Sequence, residues 1–264
     1  MPYPLIDIGA NLTHDSFDVD RAEMMQRAAD AGVTRMIVTG SSNQGSLDAV
    51  ALAETAPGRL YATAGVHPHH AADFDDTSTE LIARLARNDA VVAIGECGLD
   101  YFRNFSPRQA QLDAFRAQLD IAAETALPVF LHQRDAHDDF VEVLEAMLPR
   151  ISRAVAHCFT GEHESLQEYL AMGLWIGITG WICDERRGAH LEEIVSIIPD
   201  DRLLIETDAP YLLPRTIRPK PKTRRNEPAY LPEILRVVAR ARNQSEEHVA
   251  KITTDNAIRF FELD

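Results

Sequence analysis

The chain has 264 residues, 45% of them hydrophobic and 25% charged, with a formal net charge of −15 from 41 acidic against 26 basic side chains. That length suits one barrel of about 250 residues, and the apolar share supports a soluble core. The acidic balance excludes a protein that coats nucleic acid or anionic membrane by overall charge.

Eight short apolar runs recur along the chain: 5–11, 35–40, 60–68, 91–100, 128–134, 153–159, 174–180 and 203–210. Their apolar character is near-continuous rather than alternating, as in strands buried on both faces. Between them, 21–32, 78–88, 108–126 and 164–173 carry apolar residues at helical spacing, the first stopping at Gly32. Strand-to-strand spacing of about 28 residues fits a βα unit, and eight units close a (β/α)8 TIM barrel. After the eighth run, 212–232 is rich in Pro and charge and too irregular for a helix, while 231–242 and 246–263 return to helix. No linker or second domain interrupts the chain, so 1–264 reads as one barrel domain.

No run reaches the roughly 18 apolar residues of a membrane span, and the N-terminus lacks the pattern of a signal peptide. Three cysteines, an odd number, suit a reducing compartment. A cytoplasmic protein, monomeric by default and without a membrane partner, is expected.

Glu96, His132, His157 and Asp208 stand at or just past the C-terminal ends of four of these runs. In a barrel such positions converge on one mouth. Two imidazoles and two carboxylates brought together there form a divalent-metal site more readily than a polar network. His67, after the third run, is a candidate catalytic contact to a phosphate or leaving group, or a ring packed beside Pro68 to shape its loop. Asp7 and Asp135 are candidate carboxylates for orienting ligand imidazoles; Asp100 is a candidate loop former.

GVHPH (65–69), AIGECGLDY (93–101), PVFLHQRDAH (128–137), HCFTG (157–161), IGITGW (176–181), LIETDAPYLLP (204–214) and RRNEPAYLP (224–232) follow in order. With this series the chain resembles the TatD-type metal-dependent deoxyribonucleases, a branch of the amidohydrolase-like barrels. The resemblance implies 3′-to-5′ exonuclease activity on DNA, a place in DNA repair or turnover, and a divalent metal, usually Mg2+. It carries the ligand role to Glu96, His132, His157 and Asp208. Most of the family opens the first strand with Asp-x-His-x-His, whereas here Gly9 and Asn11 replace both histidines. The likeness is nearest to the family's founding branch, whose opening is altered in the same way. Loss of two nitrogen ligands weakens a Zn2+-like second position and favours Mg2+ or Mn2+, and leaves open whether one metal binds or two. Asn11 is then grouped with the substrate-binding residues.

Arg215, Arg218, Lys220, Lys222, Arg224 and Arg225 follow the eighth run with no acidic residue among them. Such a stretch forms a ledge for the phosphates of single-stranded DNA, or of RNA, or else a solvated loop. Tyr101, Phe102, Phe105, Trp181 and Tyr211 also follow strand ends and can receive an unpaired base or pack against their loops. In the expected mechanism the metal on Glu96, His132 and His157 activates a water, and Asp208 takes its proton or holds a second ion. Two rivals stand beside this reading: a barrel metallohydrolase of a small molecule, and a nucleic-acid binder that has lost catalysis.

Overall fold

A computed structural model describes residues 2–263. Its eight strands are β1 (Leu5–Ala10), β2 (Val33–Val38), β3 (Leu60–Ala64), β4 (Val91–Asp100), β5 (Val129–Arg134), β6 (Ala154–Ala156), β7 (Trp175–Ile178) and β8 (Leu203–Ile205). Neighbours in sequence are neighbours in space, and every ladder is parallel. The first and last strands meet just past the end of β8: Asp208 N donates to Gly9 O at 2.8 Å and Asn11 N to Ala209 O at 2.7 Å. The buried Asp7 carboxylate strengthens this seam by accepting from Thr207 N at 2.9 Å and from the Thr207 hydroxyl.

The helices are α1 (Arg21–Asp30), α2 (Asn43–Ala53), α3 (Asp76–Leu85), α4 (Arg108–Thr125), α5 (His137–Met147), α6 (His163–Ala171), α7 (Ala189–Ile194), α8 (Leu231–Ala241) and α9 (Glu246–Phe261). Local chemistry sets their starts and stops. Ser42 Oγ caps α2 through Gly45 N, and Asp75 with Ser78 forms a reciprocal capping box at α3. Beyond α1, Gly32 takes a φ of +95°, the left-handed conformation that ends a helix cheaply. Helices α2, α5 and α7 are not conspicuous in the sequence; α7 has only six residues, and α2 carries a glycine in its first turn.

Two apolar layers hold the barrel. Ile6, Ile8, Ile37, Val92, Phe130, Val155 and Leu204 form one cluster with Phe260 and Phe261 of α9. The larger cluster joins the opposite strand faces, such as Leu5, Met36, Val129 and Ile176, to the helices, including Phe115 and Leu235. Each fully buried Leu, Ile or Phe contributes about 1.5–3 kcal/mol relative to exposure. Among the described residues no helix is long and apolar enough to cross a membrane.

Candidate active site

Parallel strands of different lengths deliver the site residues to one end of the barrel. Glu96 lies within β4 and His132 within β5, His157 follows β6 directly, and Asp208 follows β8. A cavity of about 1360 Å³ opens over them and is also lined by Asn11, His67, His69 and Asp100.

Glu96 Oε1 is the focus. His157 Nε2 lies 2.9 Å from it, His132 Nδ1 3.1 Å and His67 Nε2 3.4 Å. A carboxylate oxygen offers about two lone-pair directions, so three ring nitrogens exceed what hydrogen bonding can satisfy. That crowding suits donors gathered for an ion, and ligand atoms of His67, Glu96 and His132 all lie within 4.8 Å of one another. Burial alone would push the Glu96 carboxyl up, but His157, His67 and His132 hold it well below the usual carboxylate range.

Carboxylates stand behind two of the imidazoles. His157 turns Nδ1 to Glu206 Oε2 at 3.3 Å, and His132 turns Nε2 toward Asp100 Oδ2 at 3.4 Å. The His132 contact lacks full hydrogen-bond geometry, leaving Nε2 buried without another partner. Burial disfavours charge on His157, yet Glu96 and Glu206 on either side raise its pKa well above the usual imidazole value. This carboxylate–imidazole arrangement fixes ring orientation and raises ligand basicity. His67 differs: its Nδ1 accepts from His69 N at 3.1 Å, capping the short 3-10 turn Pro68–Asp73. With Nδ1 occupied as an acceptor, the proton of the neutral ring sits on Nε2, which makes that nitrogen a donor. Burial accordingly lowers the His67 pKa well below its usual value.

The β8–β1 side is built from oxygen. Asn11 Nδ2 donates to Asp208 Oδ1 at 2.9 Å, and burial pushes the Asp208 carboxyl up to about 7. Asp208 lines the cavity with the others but makes no ion pair with His132 or His157 among the described residues. Glu206, fully buried, also accepts from Cys158 N at 2.5 Å. It lies between two glycines, and a Cβ on either Gly9 or Gly177 would overlap its carboxylate oxygens. Glu206 therefore fills the space that a side chain at position 9 would need.

Several sequence expectations change. Asp7 bonds to Thr207 and Gly9 N rather than to an imidazole, and Asp135 is exposed. Asp100, read as a loop former, does that through Arg103 N at 2.8 Å but also faces His132 and His69. The basic ledge divides. Arg225 pairs with Asp20 at 2.7 Å and packs over Phe17, because its guanidinium folds back onto the α1 side. Arg215 pairs with Glu185 at 2.9 Å. Arg218, Lys220, Lys222 and Arg224 are exposed, and none of the six lines the cavity. Its arginines are Arg103, Arg108, Arg134 and Arg187. Glu206 was overlooked too; its signal was a glutamate two residues before Asp208, facing a glycine on the first strand.

The family model described as TatD related DNase matches residues 6–262. The chain is 52% identical over 259 residues to "3′-5′ ssDNA/RNA exonuclease TatD" of Erwinia billingiae, covering 98% of this chain and 99% of that one. Among solved structures, a TatD homologue from Escherichia coli superposes with a TM-score of 0.89 at 29% identity, covering 98% of each chain. An uncharacterized amidohydrolase from Saccharomyces cerevisiae shares the fold, with a TM-score of 0.86 at 24% identity over 98% of this chain and 100% of that one. By the match along nearly its whole length, the chain belongs to the TatD-related DNase family.

Proposed function

We propose that the protein is a divalent-metal-dependent 3′-to-5′ exonuclease of single-stranded DNA or RNA, the activity named for its Erwinia relative. The observation that carries this reading is the crowding of three imidazoles on Glu96 Oε1, two of them with a carboxylate behind the ring. Glu96, His132 and His157 would hold the ion, with Asp208 as a further oxygen ligand. The lack of imidazoles at Gly9 and Asn11 favours Mg2+, with Mn2+ next, although the two remaining imidazoles would also accept Zn2+. The ion supplies Lewis-acid polarisation of the scissile phosphate and acidifies a water.

The chain's own groups do the rest. Asp208, with one oxygen fixed by Asn11, would take a proton from the attacking water or hold a further ion. His67 Nε2–H would donate to a phosphate oxygen or to the leaving 3′ oxygen; in the other tautomer the same nitrogen would join Glu96 and His132 around the ion. Arg218, Lys220, Lys222 and Arg224 act at longer range, as an electrostatic collar that draws a polyanion to an otherwise acidic molecule. Arg215 and Arg225 drop out of that collar.

The free cysteines Cys97, Cys158 and Cys183 support a cytoplasmic site of action, where nucleic-acid turnover or repair is the role proposed. Large exposed apolar side chains away from the cavity, such as Val19, Leu47 and Ile197, are scattered along the chain, which supports a monomer.

The test is digestion of a 5′-labelled single-stranded oligonucleotide by the purified protein in Mg2+, in Mn2+ and in EDTA. A metal-dependent ladder shortening from the 3′ end is expected. A folded, metal-loaded protein that leaves the oligonucleotide intact would overturn the reading.

A further inference from the structure

We infer that the unpaired strand enters the site across the wall formed by the β4–α4 loop and the end of β5, using Phe102 and Phe105 as base-stacking platforms and Arg103, Arg108 and Arg134 as phosphate contacts. The inference rests on the exonuclease reading and specifies where its substrate lies.

Exposure selects this wall. Phe105 is 66% exposed and Phe102 54%, both at the cavity rim. Exposed aromatic faces of this size cost solvation unless something covers them, and an unpaired base is the ligand a cavity beside a phosphodiester site would admit. Two of the other three aromatics after strand ends are already engaged. Tyr101 is buried with its hydroxyl on Asp139 at 2.5 Å, and Trp181 donates its ring N–H to Arg187 O. Tyr211 is exposed but lies after β8, its ring edge against His14.

Charge selects the same wall. In a chain of net charge −15, Arg103, Arg108 and Arg134 line the cavity with no carboxylate within ion-pairing distance among the described residues. Their neighbours are rings: Arg134 sits 3.8 Å from the Phe102 centroid and Arg108 4.1 Å from that of Tyr101. Stacking on a ring fixes a guanidinium in place and leaves its N–H edge free for phosphate. Arg187 and Arg215 on the opposite side spend theirs on Asp184 and Glu185.

The wall is also joined to the metal ligands. Phe105 stands edge-on to His69 at 4.7 Å, His69 Nε2 pairs with Asp100 Oδ2 at 2.9 Å, and the same oxygen faces His132. A base stacked on Phe105 is thus one ring away from the carboxylate that orients His132, which sets the scissile phosphate a short reach from the platform.

Oligonucleotides of two to eight residues test this on the Mg2+-loaded enzyme. For the wild type, KM should fall with length as nucleotides reach the wall. In Phe105→Ala and Phe102→Ala that gain should collapse, with KM for the octamer roughly ten-fold higher per ring removed. Arg103→Ala should reduce the slope of log affinity against log salt by about 0.7, one phosphate contact on a single strand. Binding of a cleavage-resistant phosphorothioate octamer, followed by fluorescence anisotropy, separates the two ideas. A wild type that binds it, loses affinity in these variants and cuts nothing keeps the wall and sinks the exonuclease reading. A wild type that cuts, with variants matching its KM at every length, keeps the exonuclease and sinks the wall; a wild type that neither binds nor cuts an octamer sinks both.

Discussion

The two halves of the site solve the problem of holding charged chemistry in different ways. On the β4–β6 side, ligand-type imidazoles are buttressed one by one: Asp100 behind His132, Glu206 behind His157. On the β8–β1 side there is no imidazole at all, and Asn11, Asp208 and Glu206 present oxygen and amide groups in a space emptied by Gly9. The first half crowds imidazoles on one carboxylate oxygen; in the second, burial pushes the Asp208 carboxyl up to about 7. Gly9 is the pivot. A side chain there would displace Glu206, so one small residue on β1 decides what stands behind His157 on the far side of the barrel.

That contrast can be broken at either half. The largest effect should come from Glu96→Ala or His132→Ala, which remove the ion's principal donors: a loss of about 10³-fold or more in oligonucleotide cleavage, with the circular-dichroism spectrum retained. Asp208→Asn should cost about 10²-fold in kcat while the ion, titrated calorimetrically, still binds through the imidazole half. An Asp208→Asn variant that fails to bind metal would erase the distinction between the halves.

Glu206→Gln sharpens it further. The amide keeps the volume and loses the charge behind His157, and metal affinity should weaken roughly 10- to 100-fold. Gly9→Ala should weaken it similarly by pushing Glu206 aside, and combining the two changes should add little more. Equal metal affinity in Glu206→Gln and wild type would remove Glu206 from the scheme.

The smallest effect concerns the seam. Burial raises the Asp7 carboxyl from 3.8 to about 7. Between those values the unfolded chain releases a proton that the folded chain keeps, so wild-type stability falls as pH rises and levels off above about 7. Asn cannot ionise and can keep both backbone bonds, so Asp7→Asn should melt higher than wild type at pH 8. The advantage should shrink toward zero near pH 4. A constant difference across that range would mean that Asp7 does not titrate there.

Much of this was legible in the residues because barrel geometry is periodic: apolar runs at regular spacing located all eight strands, and the polar residues near their ends pointed to Glu96, His132, His157 and Asp208, which line one cavity. What escaped depends on direction rather than position. Arg225 follows the eighth strand as expected, but nothing in its neighbours announces that it turns back to Asp20, 205 residues earlier. Arg134 and Arg103 carry no run of charge to advertise them, yet they reach the cavity. Glu206 is equally hidden, since its importance lies in the absence of a side chain at Gly9.

The seam makes the cavity depend on both ends of the chain. Asn11 and Asp208, which meet across it, are separated by 197 positions, and Asp7 and Thr207 by 200. A growing polypeptide has made Glu96, His132 and His157 long before the residue that completes the pocket exists. The cavity that Asn11, Glu96, His132, His157 and Asp208 line together is therefore complete only once the first and last strands are joined.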